Sequence, residues 1–125
     1  MERKGERNMK LERYNSNGRF HEAVIHNGVL YLSGQISDKG ETVSEQALSC
    51  LEILEGKLEK YGSDKKHIIS ASVYLPDMGT FDEFNGVWDN WFEEGTQPVR
   101  TCVGAALSDT KFKVEITLIA AVKEA

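Results

Sequence analysis

The sequence predicts an α+β domain, one mixed sheet with two helices on one of its faces. Three observations carry that expectation. Asn27-Gly28 sits between two short apolar runs. Two segments with helical periodicity each open on Thr-x-x-Glu. Three further stretches rich in β-branched and apolar residues surround the second helix. The chain has 125 residues, a length that favours one domain and lets folding bury roughly two thirds of the unfolded surface. One core needs no metal or disulfide at that size.

Residues 1–12 are polar and aperiodic, and the sequence predicts a flexible N-terminal tail there, with 13–125 as a single domain. Arg3, Lys4, Arg7, Lys10 and Arg13 gather basic charge at that end, as a solvated tail would. Strands are expected at 23–26 and 29–32, because Asn-Gly supplies the two positive φ angles of a type I′ turn. Ser33-Gly34-Gln35 closes the second strand.

Thr42-Val43-Ser44-Glu45 reads as a capping box. After it Ala47, Leu51, Leu54, Leu58 and Tyr61 fall on one helical face, and Gly62 suits the position just past the helix end. A strand is expected at 68–75, with Ile69, Ala71, Val73 and Leu75 on one side and Ser70, Ser72 and Tyr74 on the other. Thr80-Phe81-Asp82-Glu83 reads as a second capping box. Phe81, Phe84, Trp88, Trp91 and Phe92 form an aromatic stripe along the helix it opens, a core-facing surface rather than a cofactor box. Strands at 100–107 and 113–122 complete the order β-β-α-β-α-β-β, and the five residues 108–112 between them are long enough for an antiparallel hairpin. Both helix stripes need a sheet face to cover. The other face, with Ser70, Ser72, Thr101, Gly104, Ala105, Ala106 and Thr117, is small and uncharged, which suggests burial against another subunit.

The formal net charge is −5, which argues against a general grip on nucleic acid phosphates. The two cysteines, Cys50 and Cys102, fit no zinc or redox spacing. Neither a secretory apolar segment nor a membrane-length apolar run occurs. A reducing, cytoplasmic setting follows as an expectation. His21, His26 and His67 lack metal spacing, and no phosphate-loop glycine pattern appears.

Chemistry concentrates in the last two predicted strands. Arg100 follows Pro98, Cys102 lies two residues on and shares its face, and Glu115 stands between Val114 and Ile116. Charges among apolar strand neighbours are unusual because an unpaired buried charge is costly. Two readings stay open. In one, Arg100 clamps a substrate carboxylate with its planar fork while Glu115 handles protons. In the other, the two residues pair with each other or face solvent. They share a face only if the hairpin register is odd, for example with Cys102 opposite Glu115. Cys102 alone reads equally as a small buried hydrophobe.

The segments Tyr31-Leu32-Ser33-Gly34-Gln35-Ile36, Phe84-Asn85, Pro98-Val99-Arg100-Thr101-Cys102-Val103 and Val114-Glu115-Ile116 resemble the YjgF/Rid family, the reactive intermediate deaminases, also called the endoribonuclease L-PSP family. The likeness runs over residues 13–122. Gly62-Ser63-Asp64-Lys65 and Val87-Trp88-Asp89-x-Trp91 further resemble its YoaB-like branch. The resemblance implies a chorismate-mutase-like subunit and a homotrimer in which three sheets form a central barrel, helices outward. It also implies ligand clefts between subunits and hydrolysis of enamine and imine intermediates such as 2-aminoacrylate to 2-oxo acids and ammonia. By position, Arg100 would bind the carboxylate of a small 2-imino or 2-oxo acid. Glu115 and the Cys102 region would position water and move protons. Gly34 and Phe20 would wall the pocket, and Asn85 would support it. No cofactor, metal, nucleic acid or membrane is implied.

One stretch departs from the family pattern. Active deaminases usually carry Gly-Pro-Tyr-Ser before the first strand, and this chain has Gly18-Arg19-Phe20-His21. Phe20 has no hydroxyl to donate, and Arg19 and His21 add bulk and charge. The alternative to a deaminase is a non-catalytic member that holds a small carboxylate.

Overall fold

The computed structural model describes residues 10–124. Its elements run β1 (Glu12–Ser16), β2 (His21–His26), β3 (Val29–Leu32), α1 (Val43–Lys60), β4 (Ile68–Leu75), α2 (Phe81–Trp91), β5 (Val99–Gly104) and β6 (Glu115–Ala121), with short 3₁₀ turns at Lys65–His67 and Met78–Thr80. The strands form one mixed sheet in the order β1-β2-β3-β6-β4-β5. Every neighbouring pair is antiparallel except β4 and β5, which run parallel. The predicted α+β class is what the chain adopts.

Local signals were read correctly where side-chain chemistry is decisive. Asn27 and Gly28 take φ of 54° and 77°, and they join β2 to β3 with His26 opposite Val29. Thr42 and Glu45 form a reciprocal capping box at the start of α1. At its end Gly62 has φ of 88°, its N–H donates to the Glu59 carbonyl, and the next N–H, of Ser63, donates to that of Leu58. That is a Schellman ending, which needs a left-handed residue where glycine stands. Ala47, Leu51, Leu54 and Leu58 are fully buried, as are Val73, Leu75, Ile116, Leu118 and Ala120 beneath them.

Four expectations give way. First, β5 and β6 do not form a hairpin. The segment 76–98 carries α2 across the sheet, so β4-α2-β5 is a crossover unit, the connection that parallel strands require. Val114, Ile116, Leu118 and Ala120 are all buried, so their strand belongs in the middle of the sheet, between β3 and β4. Strand β5, with Val99 70% exposed, takes the edge.

Second, β1 precedes the predicted first strand. Its residues Glu-Arg-Tyr-Asn-Ser are all exposed, so no apolar alternation announced it. Most of the predicted tail, residues 1–9, lies outside the described residues. Third, a register shift between Ile68 and Ser70 buries Ile68 and leaves Ile69 44% exposed, reversing its expected side. Fourth, Thr80 makes no side-chain cap. Glu83 instead accepts from the backbone N–H and hydroxyl of Ser44, so its carboxylate ties the start of α1 to α2.

The sheet face away from the helices follows from the register. One row contains Thr101, Ser72 and Thr117, and a second contains Val103, Tyr74 and Glu115. Small residues hold its centre as expected, but the face is not uncharged, because Glu115 stands in its second row. Tyr31, Val99 and Val103 add exposed apolar bulk to it. Gly104 belongs to the other side, where it pairs with buried Leu75 and a Cβ would lie 3.2 Å from the Met78 side chain.

Candidate functional site

Arg100 lies opposite Ala71, which lies opposite Leu118. It therefore points to the helix side, at the sheet edge beside α2. Phe81, Phe84, Asn85 and Trp88 are spaced three or four apart along α2 and so share a helical face. The guanidinium lands among them. Its Nη1 donates to Asn85 Oδ1 at 2.8 Å, and its Cζ stands 5.7, 5.8 and 5.3 Å from the ring centres of Phe81, Phe84 and Trp88. Such ring contacts stabilise a cation by roughly 0.5–2 kcal/mol, depending on desolvation. Among the described residues no carboxylate forms an ion pair with it. The group is held in place, yet no described carboxylate cancels its charge.

Cys102 faces the same side two residues further along, opposite Val73. Burial raises its thiol above the ordinary range, and the Arg100 charge offsets part of that. It is a thiol and not a ready thiolate, so it has little nucleophilic character. Cys50 is inert for a stronger version of the same reason, pushed up to about 12 by burial and by the charge of Glu115.

Glu115 lies opposite Tyr74, so it sits on the other face of the sheet from Arg100. The hairpin that could have aligned them does not exist. Instead Glu115 meets Gly34. Backbone hydrogen bonds of 2.8 and 3.1 Å between Gln35 and Ile116 clamp the Ser33-Gly34-Gln35 turn onto the start of β6. A Cβ on residue 34 would collide with the Glu115 carboxylate and reach within 3.0 Å of its Cδ. Glycine is needed there for close approach.

Gly34 also lines a cavity of about 240 Å³ with Asn17, Phe20, Glu22, Gln35 and Lys57 among its walls. The β1–β2 turn that supplies one wall is fixed by Asn17, whose Oδ1 accepts from the N–H groups of Arg19 and Phe20, both at 2.9 Å. Phe20 is left 54% exposed.

The structure thus divides the predicted residues into two groups within one chain. Arg100, Asn85 and Cys102 stand together at the β5 edge. Gly34, Glu115 and Phe20 belong to the β2–β3 and β6 side.

Sequence reasoning missed a polar network behind the Gly34 cavity. Glu22 accepts from the Tyr61 hydroxyl and from Lys60 at 3.2 Å, and pairs with Lys57 at 3.3 Å. The Tyr61 hydrogen bond is the main reason its carboxyl is lowered to about 2, with the two lysines adding to it against the opposing effect of burial. Lys57 also donates to Gln35 Oε1 at 2.7 Å. The available signal was Lys57 itself, a cation next to Leu58 and four residues before Tyr61, on the edge of the apolar stripe of α1.

Comparison with known proteins supplies an independent measure. A family model described as Endoribonuclease L-PSP matches residues 10–122. The RutC family protein YoaB of Escherichia coli K12 is 38% identical over 114 residues, covering 91% of this chain and all of that one. A crystal structure of NMB1025 from Neisseria meningitidis, described as a member of the YjgF protein family, superposes with a TM-score of 0.91 at 40% identity, covering 94% and 99% of the two chains. A Salmonella typhimurium structure described as a putative translation initiation inhibitor gives 0.82 at 34% identity, covering 91% and 99%.

Proposed function

Because the chain belongs to the YjgF/Rid family, matched by the Endoribonuclease L-PSP model over most of its length, we propose that it hydrolyses small 2-imino acids and their enamine tautomers to 2-oxo acids and ammonia. The observation that carries this reading is the Arg100 guanidinium, anchored by an amide and three rings and facing no described acid. A guanidinium in that state is prepared for a carboxylate, and its remaining donors match one in a two-pronged fork.

The proposed cleft lies between two copies of the chain. Arg100 and Cys102 come from one, Gly34, Glu115 and Phe20 from the next, and a homotrimer assembles through the sheet face that carries neither helix. Water adds to the C=N carbon of the iminium to give a carbinolamine. Glu115 takes the water proton and passes it to nitrogen. The C–N bond then breaks as Glu115 takes the hydroxyl proton and the carbonyl forms, and the departing ammonia carries that proton away as ammonium. No redox partner or electron sink enters this sequence, because addition and elimination need only a positioned water and proton transfer.

The direct test supplies imines from an amino-acid oxidase and follows ammonia release. Wild type accelerates release, and Arg100→Ala removes the acceleration while the oligomer survives. Equal behaviour of the two proteins would refute the catalytic reading.

A second reading is favoured by one specific feature, the Gly18-Arg19-Phe20-His21 stretch. With no phenolic hydroxyl at Phe20, the cleft would retain a small carboxylate without turning it over. Binding of 2-oxo acids that depends on Arg100, combined with inactivity against a panel of imines, is its signature. Nucleic acid cleavage is disfavoured by the net charge of −5, which leaves little attraction for a polyanion.

A further inference from the structure

We propose that the cavity beside Gly34 is a second carboxylate subsite, with Lys57 as its counter-ion. The preferred substrates are then 2-imino acids whose side chain ends in an acid. The inference rests on the reading that this cavity and the Arg100 of a neighbouring copy bound one cleft.

Hydrogen-bond accounting around the cavity supports it. Several of its side-chain acceptors already hold a donor, although Asn15 Oδ1, also in the lining, has none described and Ser33 Oγ is engaged only as a donor, to the Glu22 carbonyl. Asn17 Oδ1 serves Arg19 and Phe20, and Ser16 Oγ serves Gly18. Gln35 Oε1 serves Lys57. Both oxygens of Glu22 are engaged, one by Lys57 and the other by Tyr61 and Lys60. The donors are not exhausted. Lys57 has three N–H bonds and two described partners, Gln35 and Glu22. The Asn17 amide nitrogen has no described partner. A wall whose acceptors mostly hold a donor already, and whose ammonium has an N–H to spare, favours a group that only accepts, and an ionised carboxylate is such a group.

Charge points the same way. Two ammonium groups, Lys57 and Lys60, share the single carboxylate of Glu22, so this network keeps one positive charge, set against the Glu115 carboxylate that also lies against Gly34. Lys60 is 56% exposed and stands outside the cavity lining, whereas Lys57 is 24% exposed and lines it. Gln35 fixes the ammonium in place, because its own Nε2 is bound to the Ile36 carbonyl at 2.8 Å and its oxygen is thereby presented to Lys57.

The test measures binding of a chain-matched pair, 2-oxoglutarate and 2-oxopentanoate, by titration calorimetry. Wild type should prefer the diacid roughly tenfold, the size of one charge-assisted hydrogen bond. Lys57→Met should bring the ratio to about one and Lys57→Arg should restore it. A wild-type ratio near one, or a ratio that survives Lys57→Met, overturns the proposal. The wild-type measurement decides even if the methionine variant folds poorly. Following ammonia release from the corresponding imines separates the two readings. A diacid preference in binding with no turnover of either imine supports the subsite and removes the catalytic reading. Equal turnover of both imines with equal affinities removes the subsite and leaves hydrolysis standing.

Discussion

Asn85 Oδ1 accepts from Arg100 Nη1 at 2.8 Å, and that neutral partner keeps the guanidinium charge available. Replacing the amide with an acid tests this directly. In Asn85→Asp a carboxylate would occupy nearly the same position and pair with Arg100 internally. We expect affinity for small 2-oxo acids to fall about tenfold or more, the worth of a charge-assisted contact, while the melting temperature changes little. Calorimetric titration of wild type and variant with the same 2-oxo acid is the measurement. Unchanged affinity would mean that Arg100 is not the anion anchor.

Gly34 offers a test of the other half of the site. A methyl group there would meet the far end of the Glu115 side chain, which can swing away at small cost. Gly34→Ala should therefore retain stability to within about 1 kcal/mol and lose most imine hydrolysis, because the carboxylate is displaced from its position. Urea denaturation together with ammonia-release kinetics separates the two effects. A variant with full activity would show that the placement of Glu115 is unimportant.

The elements legible in the sequence were those fixed by short-range chemistry. Asn27-Gly28, the Thr42–Glu45 box and the Gly62 ending each depend on residues close in the chain, and the apolar stripe of α1 reports its own burial. Strand order depends on distant choices. The place of β6 in the sheet is set by its competition with β5 for the centre, and both are apolar enough to suit either position as isolated segments. Arg100 and Cys102 were assigned to one face correctly, since they share a strand. Arg100 and Glu115 were left with two possible alignments, both presuming a hairpin that does not form. Lys57 was overlooked because its partners Glu22 and Gln35 are distant in sequence, and a lysine at the margin of an apolar stripe ordinarily extends to solvent.

Glu22 gives a pH prediction with a definite sign. Its carboxyl is lowered from an ordinary value of 4.5 to about 2 in the fold. A depressed folded value means the stabilisation is fully present above the unfolded value and lost as pH falls from about 4.5 towards 2. Its contribution is on the order of 2 kcal/mol. Urea midpoints measured at pH 6 and at pH 3 should therefore fall further for wild type than for Glu22→Gln, with the variant already less stable at pH 6. Parallel acid dependence in the two proteins would show that Glu22 is not held by Tyr61 and the lysines in solution.

The uncovered sheet face carries the proposed assembly. Ser72 stands between Thr101 and Thr117 at the centre of its small-residue row, and Tyr31, Val99 and Val103 are exposed around it. If three copies bury this face together, a long cation at its centre loses its water and crowds a site packed around a serine, and that costs several kcal/mol per subunit. Ser72→Arg should therefore convert a trimer into monomers, as read by sedimentation equilibrium. The core beneath the helices should stay intact, because residue 72 points away from Val73 and Leu75. Imine hydrolysis should disappear with the trimer even though Arg100, Cys102, Gly34 and Glu115 are all present, since one chain keeps the two groups apart. A monomeric wild type, or a monomeric variant that remains active, would overturn the intersubunit cleft.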